Sequence, residues 1–201
     1  VYGVALVYGA TGSIALGRMA AAPRSPLLAA GVALLTIGLG FEAALVPFHA
    51  WAPDVYEGAP LPVTAFMSVV AKIGAFAGLL RVFSLALPQF AAHWGQALAA
   101  IAIVTMLLGN LAALLQMNLK RLLAYSGIAH MGYAMVAIIA AGRDGGLGVL
   151  VYLAAYTVMN IGAFAAVALM SEREDEPHLI GELAGQGWQR PLVSLALTVC
   201  L

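Results

Sequence analysis

The chain has 201 residues, 63% of them hydrophobic and 9% charged, where soluble domains carry roughly 25% charged residues, so it reads as a membrane protein. Its formal charge is zero, with 9 basic and 9 acidic residues, and no basic run is long enough to hold nucleic acid or an acidic surface. The single Cys200 excludes an internal disulfide and a cysteine metal site.

In chain order, residues 1–10 read as the tail of a span, closed by the turn-rich Thr11-Gly-Ser13. Arg18 and Arg24 mark a loop. The second span, 27–51, carries Glu42 and Pro47 and ends in HAWAPDVYEGAP, where Trp51 and Tyr56 suit a membrane interface. The third, 61–83, carries Lys72, with Gly74 and Gly78 as small residues that permit close helix approach and Arg81 near its end. A fourth, 97–116, leads into the turn Asn118-Leu-Lys120-Arg121. The fifth, 122–141, spaces Tyr125, Ser126, His130 and Tyr133 so that they can share a polar helix face. The sixth, 147–170, carries Thr157 and Asn160; a polar loop with the acidic run Glu172 to Glu176 follows, and a seventh span occupies 191–201. With no initiator methionine and an end in the apolar LALTVCL, the chain reads as an internal fragment. The expected fold is all-α: a polytopic transmembrane helix bundle with one discontinuous helix.

The stretch from Gly38 to Lys72 organises this pattern, because it places Glu42 and Lys72 near the centres of two apolar segments. An ionisable side chain at that depth costs at least ~2.5–3.5 kcal/mol, so it faces protein or a watery cavity and marks an ion or proton route. Pro47 has no N–H to give and clashes with the carbonyl of Ala43, so the helix is expected to break there, with the freed backbone groups met by water or a polar side chain. A broken helix beside intramembrane charge is a transporter feature.

Several residues carry two readings at this point. Lys72 is a proton carrier, or a lysine that snorkels or joins a static ion pair, and Glu42 is a proton-transfer group or forms a structural salt bridge with Lys72 or a residue outside this sequence. His130 is a proton-transfer group, suited by its titration range, or a satisfied core histidine. His49, just beyond Pro47, marks a channel mouth or the interface. Tyr125, Ser126, Tyr133, Thr157 and Asn160 are interhelical hydrogen-bond groups first and relay members second. Lys120-Arg121 reads as a topology anchor, and the acidic run as a solvated loop or a contact to a neighbouring subunit. Loop charges are balanced between the two faces, so they do not fix orientation. No nucleotide loop, metal spacing or nucleophile motif is visible.

The runs VPFHAWAPDVYEGAPLPVTAFMSVVAKIGAF and GNLAALLQMNLKRLLAYSGIAHMGY resemble the antiporter-like membrane subunits of respiratory complex I, and PDVYEGAP favours the subunit N branch of that family. The opening LVYGATGS and the later YLAAYTVMNIGAFAAV extend the resemblance over nearly the whole chain. It implies inverted helix repeats, each with one broken helix and a half-channel for protons, in the membrane arm of a proton-translocating NADH:quinone oxidoreductase. It also implies a multi-pass subunit of a bacterial cytoplasmic membrane, with the loops of Asp54, Lys120 and Glu174 on the cytoplasmic side. No cofactor is expected on this chain; NAD, flavin, iron–sulfur clusters and quinone are expected on partner subunits. The partners implied are the other membrane-arm subunits, the lipid bilayer and protons. The family's lysine on the second of its two site helices matches Lys72, whereas on the broken helix this chain has Glu42 where the family has lysine. Alternatives are a subunit of a cation/proton antiporter complex or membrane-bound hydrogenase, and a structural spacer whose half-channel Glu42 has disabled.

Overall fold

The structure, a computed structural model, describes residues 1–23, 25–86, 91–140, 146–170 and 179–201. Arg24, Arg143 and the acidic run Glu172 to Glu176, with Glu174, lie outside the described residues. The elements are α1 (Tyr2–Thr11), α2 (Leu16–Ala21), α3 (Pro26–Glu42), α4 (Trp51–Gly58), α5 (Leu61–Leu80), α6 (Ala91–Leu114), α7 (Leu119–Ala140), α8 (Gly146–Met170), α9 (Gln186–Gln189) and α10 (Pro191–Cys200). A π-helical turn, Arg81–Ala86, continues α5, and a 3-10 turn, Ile180–Leu183, precedes α9. Among the described residues there is no named strand, only an isolated bridge between Asn118 and Leu179.

Four segments are long and apolar enough to cross a membrane: Leu61–Ser84, Trp94–Leu114, Leu119–Ala140 and Gly146–Met170. They fall on the third to sixth predicted spans; α3 and α10 are apolar but shorter. The predicted loop around Arg18 contains the short helix α2, since LGRMAA is made mainly of good helix formers.

The discontinuity falls where the proline places it. Helix α3 stops at Glu42, because Pro47 forbids a helical carbonyl at Ala43 four residues earlier. Ala44 then takes a left-handed conformation, φ 57°, and the Val46–Pro47 bond is cis. Irregular backbone at membrane depth must be buried in protein and supplied with partners. Ala43, Ala44, Leu45 and Val46 are all buried. The Leu45 N–H donates to the Gly40 carbonyl at 2.8 Å. The Val46 N–H donates to Thr105 Oγ1 of α6 at 3.1 Å, so a polar side chain fills the gap. Beyond the break, the Trp51 indole donates back to the Phe41 carbonyl at 2.8 Å and its ring stacks on Phe41, which joins α4 to the end of α3.

Close helix contacts rest on particular glycines. A Cβ on Gly109 of α6 would sit 2.7 Å from the Ala129 nitrogen, so α6 and α7 touch backbone to backbone there. Of the two glycines expected to bring helices close on α5, only Gly78 does so, with a Cβ position 3.0 Å from Leu39 of α3. Gly74 is exposed, and a Cβ there would meet open space, so no helix is packed against it.

Candidate functional site

Helix α5 carries its polar residues four apart, Thr64, Ser68 and Lys72, and that spacing puts them on one helix face. Helix α8 does the same with Tyr152, Tyr156 and Asn160. The two stripes run antiparallel and meet residue to residue. Asn160 Nδ2 donates to Ser68 Oγ, Tyr156 Oη donates to the Ser68 carbonyl at 3.1 Å, and Lys72 Nζ donates to Tyr156 Oη at 3.1 Å. Lys72 is 1% exposed and lies in the twelfth position of α5, roughly 17 Å along the helix at 1.5 Å per residue, near the middle of the apolar segment Leu61–Ser84.

Helix α7 closes this line from the other side. Gly127 leaves the room in which the amine lies, since a Cβ there would come within 2.6 Å of Lys72 Nζ and 3.0 Å of Tyr156 Oη. One turn on, His130 packs its ring against Tyr156 with centroids 5.4 Å apart, and its Nδ1 shares a 2.7 Å hydrogen bond with Tyr152 Oη. Tyr133 meets the His130 ring edge-on, and its hydroxyl accepts from Asn110 Nδ2 at 2.9 Å, at an exposed position on α6. The polar line therefore runs from Asn160 and Ser68 through Tyr156 and Lys72 to His130, Tyr152, Tyr133 and Asn110.

At one end of the bundle the short helix α4 is fixed by charge. Arg121 donates to Asp54 at 2.6 Å and to Glu57 at 2.8 Å, and Asn118 Nδ2 donates to Glu57 at 3.0 Å. Lys120, 2% exposed, donates to the Ala59 carbonyl at 3.0 Å, and Thr64 Oγ1 donates to the carbonyls that close α4. The PDVYEGAP motif is thus bound to the α6–α7 turn, and Asp54, Lys120 and Arg121 share one end of the molecule. Lys120-Arg121 is more than a topology anchor: it holds the second half of the broken helix in place.

The expected site residues separate into two groups. Lys72 and His130 belong to the polar line. Glu42 does not: it is exposed at the end of α3, and no acid pairs with Lys72 among the described residues. Of the two readings of Glu42, the pairing with Lys72 is not seen here: α3 ends with Glu42 exposed, while Lys72 on α5 meets α7 and α8. His49 is half-buried in the turn before α4 and shares no hydrogen bond or ring contact with Lys72 or His130. Pro47 and Phe48 line a cavity of about 760 Å³ between α3 and α6, walled by Val32, Phe83 and Trp94, which is apolar and apart from the polar line. On α7, Tyr125 packs into the apolar cluster with Phe164, so the predicted polar face is narrower than its four residues. Thr157 bonds back to the Leu153 carbonyl of its own helix. Sequence reasoning missed Ser68, Tyr152 and Tyr156, although their four-residue spacing from Lys72 and Asn160 is a signal that the sequence carries.

Similarity to known proteins extends over nearly the whole chain. The chain is 45% identical to the NADH-quinone oxidoreductase subunit N 1 of Herpetosiphon aurantiacus over 99% of its own length and 43% of that protein's. A chain of respiratory complex I from Thermus thermophilus superposes with a TM-score of 0.77 at 42% identity, covering 99% of this chain and 42% of that one. A chain of the Mrp complex from Dietzia sp. DQ12-45-1b gives a TM-score of 0.90 at 26% identity, covering 99% and 37%. The chain therefore spans about two fifths of the length of the relatives it matches. The pattern of the NADH:quinone oxidoreductase/Mrp antiporter transmembrane family matches residues 1–201, and the chain belongs to that family.

Proposed function

We propose that this chain is part of a proton-translocating membrane-arm subunit of NADH:quinone oxidoreductase, in which Lys72 carries a proton at mid-membrane and His130 continues the route. The observation that carries this reading is a fully buried lysine, with a phenol and, among the described residues, no carboxylate as its hydrogen-bond partner, beside the broken helix. A primary amine held this way has one chemical option for changing charge, which is to gain or release a proton. Phenols and an imidazole extend the same chemistry, and His130 can pass a proton between its two nitrogens. The two hydrogen-bonded pairs, Lys72 with Tyr156 and His130 with Tyr152, meet through ring contact, so transfer between them requires a side-chain rotation or a bridging water.

NAD, flavin, iron–sulfur clusters and quinone belong to partner subunits in this reading, and the end of the bundle with Asp54 and Lys120 faces the cytoplasm of a bacterial cell. The higher TM-score to the Mrp complex chain supports a second reading, a cation/proton antiporter subunit. The greater identity to the complex I chain and to subunit N favours the first. The amine and phenols favour protons over sodium, which would need oxygen ligands in place of a cation. The test is Lys72→Ala in the full-length subunit within its assembled complex, in sealed vesicles. Proton uptake driven by NADH oxidation falls roughly a hundredfold or more. Normal uptake by the assembled variant would overturn the reading.

A further inference from the structure

Tyr56 is the one inward-facing titratable residue of α4, and nothing in the route above uses it. It is 1% exposed, and its hydroxyl has no hydrogen-bond partner among the described residues. Its ring lies against Lys72: Nζ stands over the Tyr56 ring at 5.8 Å from the centroid, whereas it meets Tyr156 at the hydroxyl, 3.1 Å from Oη. The Tyr56 distance falls within the range at which a ring's negative face attracts a cation, an attraction that grows when water is excluded. Phe164 packs edge-on to Tyr56 at 6.4 Å and fixes the ring's tilt.

The charged and titratable groups around Lys72 leave this role open. Helix α3 offers Glu42, which is exposed and unpaired with it. Helix α4 offers Asp54 and Glu57, both bound to Arg121 at the end of the bundle, and Tyr56. Helix α7 offers His130, with Lys120 and Arg121 at its far end, and α8 offers Tyr156 and Tyr152. No carboxylate is among these inward-facing groups. We propose that the Tyr56 ring and the Tyr156 hydroxyl form a cage that holds the protonated form of Lys72 in place of a counter-ion, with Tyr56 contributing its ring and not its hydroxyl. Tyr56 is held in this position because Trp51 joins α4 to the end of α3 and Arg121 joins it to α7. The cage rests on the proposed proton-carrying role of Lys72 and names the positioning residue for that role.

The experiment uses the assembled complex with the full-length chain in sealed vesicles, with proton uptake and electron transfer measured across a neutral-to-alkaline pH series. Tyr56→Phe keeps the ring and retains the wild-type profile. Pentafluorophenylalanine at position 56 keeps the shape but strips the ring of its negative face, and the alkaline limb of uptake moves to lower pH by about one unit. Tyr56→Leu moves it in the same direction. Loss of uptake in Tyr56→Phe, or a wild-type profile with the pentafluoro ring, overturns the cage. Lys72→Ala is run in parallel: normal uptake there removes the proton-carrying role and the cage together, whereas lost uptake in Lys72→Ala beside an unshifted pentafluoro variant removes the cage alone.

Discussion

Lys72 and Glu42 are both charged residues within apolar sequence, yet their surroundings have little in common. Lys72 sits in an unbroken helix with Tyr156, Tyr56 and Gly127 around its amine. Glu42 is the last residue of α3, exposed, at the end of the helix where the backbone dipole is negative and disfavours an anion. Position within an apolar run therefore does not decide a charge's surroundings. What separates the two charges is whether helices converge on them, and here α5, α7 and α8 converge on Lys72.

The most severe test of that contrast changes Lys72 while keeping its charge. Lys72→Arg is expected to lose proton translocation as fully as Lys72→Ala, because a guanidinium stays protonated and cannot release its proton at working pH. Its planar fork also cannot occupy the room left by Gly127. Uptake by assembled vesicles checks this, and near-normal uptake would show that Lys72 acts only through its charge.

A second test concerns the backbone between the two charges. Thr105→Val leaves the buried Val46 N–H without its acceptor, a loss of about 1–3 kcal/mol, whereas Thr105→Ser keeps the hydroxyl and costs less. Thermal stability of the assembled complex separates the two. Equal stability of Thr105→Val and wild type would mean that the break does not depend on α6.

The clamp at the end of the bundle carries charge of a third kind, paired and wet, and its loss has a smaller effect. Arg121 is 28% exposed and its partners Asp54 and Glu57 are 72% and 43% exposed, so solvent screens both pairs. Arg121→Gln is therefore expected to lower stability by no more than about 1 kcal/mol, with a deficit that shrinks in high salt. A salt-independent loss would point to packing by the guanidinium stem.

Long apolar segments announce α5 to α8 by length alone, and Pro47 announces the end of α3 through its clash with Ala43. The position of Lys72 is equally plain in the sequence. Its partners are not, because a tyrosine in an apolar helix reads as packing or as an interface anchor until a facing helix supplies the amine. Tyr56 shows this best: its place beside Trp51 in a polar, proline-rich stretch suits the membrane interface, yet the fold of α4 buries it over Lys72. Arg121 likewise finds Asp54 and Glu57 across 67 and 64 positions of chain, a pairing that only the folded bundle creates.

For the two charges themselves, the most discriminating measurement is one in which almost nothing should happen. If Glu42 and Lys72 were partners, removing either would leave a buried charge uncompensated, and the double variant would recover part of the loss. In the structure Lys72 donates to Tyr156 and Glu42 faces outward, so neither depends on the other. A double-mutant cycle with Glu42→Gln and Lys72→Met is therefore expected to give a coupling free energy within about 0.5 kcal/mol of zero when read as stability of the assembled complex. The charge swap, Glu42→Lys with Lys72→Glu, is expected to restore neither assembly nor uptake, since it buries an acid against the negative face of the Tyr56 ring with no cation beside it. A coupling clearly above that level would mean that the carboxylate turns inward during turnover, and the exposed position of Glu42 would then be one of two that the break at Pro47 allows.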